Sequence, residues 1–243
     1  MDDDLILNVR GATGPKVLGI FGVEAELPQV KFLKGLPGIT GFAYTKNEGE
    51  EHIAVDPNYN DRPNAMVDLV WGMTEELSHF CHYMLNRDLF MRKIDLTENP
   101  NVKDNNELLE MDNLTEFIAR MGGLASDFVS PPDFGMTMDA WLKLRKATRA
   151  TSKKGFERYV KQHPDYAKMV SYASARVWGT GLADAFAGIE GIKKNIPKYR
   201  KILRALTQCD TFDEAADVFE KYMPGSEQAR ELRFVKEKLF SRS

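Results

Sequence analysis

The chain has 243 residues, 43% of them hydrophobic and 28% charged, which is ordinary for a globular protein and enough for one large domain or two small ones. Its first residues, Met1-Asp2-Asp3-Asp4, are acidic where a secretory signal would be basic, and no apolar run approaches ~18 residues, so a cytoplasmic protein with no membrane partner is expected. The formal charge of −3 hides a division: residues 1–127 hold 22 acidic and 11 basic side chains (−11), and the remainder hold 14 and 22 (+8).

From Leu5 to Val55 the pattern is short and β-like. Leu5–Val9, Val17–Phe21, Gly38–Tyr44 and His52–Pro57 read as strands separated by glycine and proline. Asn47-Glu48-Gly49-Glu50 supplies a hairpin turn between the last two. The pieces Gly11–Gly14 and Gly19–Gly22 resemble phosphate loops only in glycine content, since no Gly-Lys-Ser/Thr follows, and turn glycines account for them.

The stretch Asn64–Asn86 predicts one long helix, with Asn64 as its N-cap after Pro63. Met66, Val70, Met73, Leu77, Phe80, Cys81 and Met84 fall on its apolar face. Asp68, Gly72, Glu75, His79, His82 and Asn86 lie nearly opposite. Glu75 and His79 are one turn apart and can reach a single ion, with Glu76 beside them. A polar loop follows over Leu96–Asn105, and Asp104 with Glu107 forms a capping box for a helix ending at Gly122-Gly123. Ser130-Pro131-Pro132 reads as a linker. Beyond it helices are expected over roughly 136–151, 153–162, 165–189, 194–208, 212–222 and 226–241, with Thr211 capping the one that starts at Phe212. Cys81 and Cys209 are far apart and belong to no C-x-x-C pair, so both are expected as free thiols.

The run Glu75-Glu76-Leu77-Ser78-His79 resembles the H-E-x-x-H helix of gluzincin-type zinc metallopeptidases, with glutamate in place of the first histidine. Gly38–Tyr44 and His52–Pro57 resemble the two strands before that helix, and Asn113–Gly122 is similar to the second helix, whose glutamate is the third ligand. The resemblance spans about residues 36–124. It implies a ligand set of Glu75, His79 and Glu116, with Glu76 as catalytic base and a peptide or protein as substrate. Zinc is the first expectation, since catalytic zinc takes three protein ligands and keeps a position open. The carboxylate in place of imidazole makes Mn²⁺ or Fe²⁺ more competitive. His82 and Glu110 are further candidates: His82 lies one turn beyond His79, and helix geometry alone allows Glu110 as the ligand from the second helix. Glu76-x-x-His79 is also half of a di-iron bundle signature, but no second such unit is present.

The back half adds a basic constellation. Lys143, Arg145, Lys146, Arg149, Lys153, Lys154 and Arg158 form one cluster, and Lys193, Lys194, Lys198, Arg200, Lys201 and Arg204 a second. A nucleic acid, an acidic protein partner or the chain's own acidic front would suit them. The expected architecture is α+β: a small antiparallel sheet on a metallopeptidase-like helix pair in an acidic domain over 1–128, then a basic all-helical domain over 133–243. The function expected is that of a metallopeptidase-like metal protein. The alternative is a non-catalytic binding protein that keeps the core and uses its basic helices.

Overall fold

The computed structural model describes residues 3–36, 40–47, 49–58, 65–98, 106–123 and 194–240. Among these residues the architecture is α+β, three strands and seven helices. The elements are α1 (Asp3–Phe21), β1 (Gln29–Phe32), β2 (Thr40–Ala43), β3 (His52–Val55), α2 (Ala65–Leu85), α3 (Arg87–Glu98), α4 (Asn106–Gly123), α5 (Ile196–Leu206), α6 (Phe212–Tyr222) and α7 (Glu227–Phe240).

Asp3–Phe21 is one helix, which corrects the β reading of Leu5–Val9 and Val17–Phe21. Ile6, Val9, Val17, Leu18, Ile20 and Phe21 are buried together, a helical spacing whose packing outweighs the glycines and Pro15 inside it. Gly14 is there for contact, since a Cβ at that position would run into Leu27. Gly22 ends α1 in the left-handed conformation (φ 67°), and the amide of Val23 closes back on the Leu18 carbonyl at 2.9 Å.

The sheet is mixed, in the order β1-β3-β2. β2 and β3 form the expected antiparallel pair, with Phe42 opposite Ile53. β1, which the sequence pattern did not single out, adds to β3 in parallel. The central strand carries the burial: Ile53, Ala54 and Val55 are in the core.

The sheet lies on α2, which also packs against α1 and α4. Val70, Met73, Leu77, Phe80 and Cys81 are buried as its apolar face requires, whereas Met84 is exposed. Thr74 and Ser78 are buried too, each hydroxyl donating to the carbonyl one turn back, of Val70 and Thr74 respectively. The side chain of Met66 lies outside the described residues, as does all of Asn64.

α3 occupies part of the segment expected as a polar loop and buries Leu89, Phe90 and Lys93. Its N-terminus is capped by Asn86, whose side-chain oxygen accepts from the Leu89 amide at 3.3 Å. Asp104 and the rest of 99–105 lie outside the described residues.

The last three helices match expectation within two residues at each end. Thr211 caps α6 by accepting from the Glu214 amide. Tyr199, Ile202, Leu203, Leu206, Phe212 and Phe219 join one hydrophobic core with residues of α1, α2 and α4. The Tyr199 hydroxyl donates to the Met121 carbonyl, tying α5 to the end of α4. The expected linker at 130–132, the boundary between 1–128 and 133–243, and the helices over 136–189 fall outside the described residues. Both cysteines are free and buried. No described helix is long and apolar enough to cross a membrane.

Candidate metal centre

Helical spacing places Glu75, Glu76 and His79 on α2, and the α2–α4 packing brings Glu116 and Arg120 against them. Glu75, His79 and Glu116 each offer a ligand atom, and these atoms lie within 4.8 Å of one another. A tetrahedral ion at zinc-like distances would hold its ligand atoms about 3.4 Å apart. The His79 Nε2–Glu116 Oε1 pair is already at 3.4 Å. Glu75 is the ligand that must move, because it is turned to a cation: its Oε1 accepts from Arg120 Nε at 2.9 Å. Arg120 lies one turn beyond Glu116 and also reaches that carboxylate, at 3.6 Å.

The electrostatics are those of a coupled cluster. Burial alone would lower the pKa of His79, but the Glu116 carboxylate beside it, with help from Glu76 and Glu75, raises it. Burial opposes the charge of Glu116 as well, yet His79, Arg120 and Lys93 outweigh it and bring its pKa down to about 2. Glu116 is therefore an anion facing a protonable imidazole.

Glu76 is set apart from the triad by the strand above it. Gly72, one turn earlier on α2, has no side chain because Thr40 of β2 occupies that space. This close approach lets Glu76 accept from the Phe42 amide at 2.7 Å and from the Thr40 hydroxyl at 3.2 Å. Burial, followed by the neighbouring Glu75 and Glu116 charges, raises its pKa to about 7 against the pull of His79 and the Phe42 amide.

The two further candidates sit elsewhere. His82 is fully buried, its ring edge-on to Phe90 with centroids 5.0 Å apart. Burial, then the positive fields of His79 and Lys93, lowers its pKa to about 3, so it packs as a neutral ring. It shares a helix with the triad but not the ligand cluster. Glu110 serves the C-terminal helices: it accepts from the Phe212 amide at 2.8 Å and lies 3.4 Å from Lys236 Nζ. Burial is what the sequence pattern could not assign to these two residues.

Two cations at the site escaped the sequence reading. Arg120 was visible in the same run as Glu116, and its i+4 spacing is the signal that could have paired them. Lys93 projects from α3 into the space beside Glu116. Its Nζ donates to Thr115 Oγ1 at 2.9 Å and meets Asp112 at 2.8 Å, 6.0 Å from the centre of the Tyr44 ring. Burial raises the pKa of the Tyr44 phenol, with Lys93 opposing. Lys143, Arg145, Lys146, Arg149, Lys153, Lys154 and Arg158 all lie outside the described residues.

No protein-family model matches the chain, and neither a curated protein nor a solved structure is significantly similar to it.

Proposed function

We propose that the protein holds one divalent ion between Glu75, His79 and Glu116 and acts as a metal-dependent hydrolase of peptide bonds, with Glu76 as general base. The observation that carries this is the convergence of three ligand atoms from two helices within 4.8 Å. The donor set fits: one imidazole and two carboxylates suit zinc, and also manganese or iron. The gluzincin-like order of parts adds support, since the β2–β3 pair precedes the helix bearing Glu75-Glu76-x-x-His79 and α4 follows with Glu116. When bound, the ion would supply Lewis acidity at this point. Glu76 is the carboxylate beside this ligand set that can take and return a proton, and Thr40 and Phe42 keep it oriented.

The Arg120–Glu75 pair favours a second reading, a non-catalytic protein whose peptidase-like core is closed by a guanidinium in place of an ion. Calorimetric titration with Zn²⁺ and Mn²⁺ separates the two. The hydrolase reading expects one ion per chain, none in His79→Ala, and about tenfold or tighter binding in Arg120→Ala, where a charged hydrogen bond no longer competes for Glu75. Glu76→Gln should keep the ion and lose turnover of a fluorogenic peptide mixture. No ion in either wild type or Arg120→Ala overturns the proposal and leaves the second reading.

A further inference from the structure

The basic residues of α5, with Lys194 just before it, form the densest run of unpaired cations among the described residues. Residues 191–209 hold six basic side chains and no acidic one, in a chain whose net charge is −3. Tyr199, Ile202, Leu203 and Leu206 turn inward to the core, and Lys194, Lys198, Arg200, Lys201 and Arg204 are exposed around the outward side. Elsewhere Lys46, Arg92, Lys93, Arg120, Arg233 and Lys236 each meet a carboxylate. Lys194, just before α5, and the four on it meet none among the described residues.

The chain's own front half offers them no carboxylate among the described residues: α5 docks there through its apolar side, and Arg204 lies over Gly22 without meeting an acid. Helix stability does not explain them either. The first turn of α5 has no acidic residue, and Lys198 there faces the positive end of the helix dipole, an arrangement that weakens a helix by a few tenths of a kcal/mol. The Tyr199 hydroxyl donates to the Met121 carbonyl and ties the buried side of α5 to the end of α4.

We infer that this outward face of α5 binds the phosphate backbone of a nucleic acid. Charge complementarity selects a polyanion, and the composition of the face selects which. A folded protein partner would need an apolar centre to its interface, and no large apolar side chain is exposed on α5. An anionic membrane would need an apolar helix side to insert, and that side of α5 is buried in the core. From Lys198 to Arg204 the helix runs about 9 Å, a length over which duplex DNA presents roughly five phosphate charges. With only charge on offer, contact should be with the backbone and indifferent to base sequence.

The test is fluorescence anisotropy of the full chain with a labelled 20-base-pair duplex of random sequence, titrated from 50 to 200 mM salt. Five phosphate contacts predict a slope of log affinity on log salt near −4.5, which is a loss of on the order of 500-fold across that range. Replacing Lys198, Lys201 and Arg204 together with alanine should make the slope less steep by about 2.7, and each single replacement by about 0.9. Exchanging Lys for Arg and Arg for Lys at the same three positions should leave it unchanged. Circular dichroism of each variant establishes that it is folded, and the single variants carry the test if the triple one is not. Absence of binding at 50 mM salt overturns the inference. So does an unchanged slope in the alanine variants, which would move the contact elsewhere. Competition by polyglutamate or phosphatidylserine vesicles as effective as unlabelled duplex overturns it too, since the face would then be a general anion binder.

Discussion

Glu76 offers the most direct test of the electrostatics, because its charge state is coupled to folding. Its pKa lies near 7 in the folded protein against 4.5 ordinarily, chiefly through burial beneath β2. A carboxyl group with a raised folded pKa stabilises the fold fully below its unfolded value. That contribution is lost as pH rises from about 4.5 through 7, where the unfolded chain gives up a proton that the folded chain retains. The difference between 4.5 and about 7 makes the loss on the order of 3 kcal/mol. Glutamine keeps the size of the side chain and an oxygen for the Phe42 amide, and it does not titrate. Glu76→Gln should therefore match wild type near pH 4.5. At pH 8 it should be more stable by about 3 kcal/mol, or roughly 6–12 °C in Tm for a chain of this length. Guanidinium unfolding of chelator-treated wild type and variant at pH 4.5, 5.5, 6.5 and 8 gives the difference, and titrating groups away from the cluster cancel in it. A difference that stays flat across this range, or a variant less stable at pH 8, would refute the burial of Glu76 as an ionisable group.

Two further predictions concern the scaffold. Gly122→Ala should lower stability by about 1–2 kcal/mol, since its Cβ would come within 2.5 Å of the Phe21 ring and 2.6 Å of Ser78 Oγ. Overpacking of that size outweighs the gain in helix propensity, and a higher Tm for the variant would show that the α1–α2–α4 junction is looser than described. Thr211→Ala should cost about 1 kcal/mol through loss of the cap on the Glu214 amide, with Thr211→Ser restoring most of it in the same thermal melts. Equal losses in both variants would assign the effect to something other than the hydroxyl.

Much of the helical framework is legible in the order of residues, because it rests on local chemistry. The apolar spacing from Val70 to Cys81 specifies α2, the Thr211 cap starts α6, and glycines 122–123 end α4. The i, i+4 relation of Glu75 to His79 likewise puts both on one side of α2, whatever α2 packs against. The β2–β3 hairpin is local as well.

Non-local contacts decided the rest. Leu5–Phe21 contains short apolar runs that suit strand or helix equally. The choice falls to helix because Ile6, Val9, Val17 and Phe21 find one continuous core on α2 and α4. The parallel pairing of β1 with β3 joins segments more than twenty residues apart, and no turn signature announces it. Glu116 and Glu110 look alike along α4 until packing turns one to His79 and the other to the Phe212 amide. Glu75 and Glu76 are neighbours in sequence, yet the α2–α4 contact gives one to Arg120 and the approach of β2 gives the other to Phe42. A side chain's spacing sets where it can point, and only the packing around it sets what it meets there and at what cost its charge survives burial.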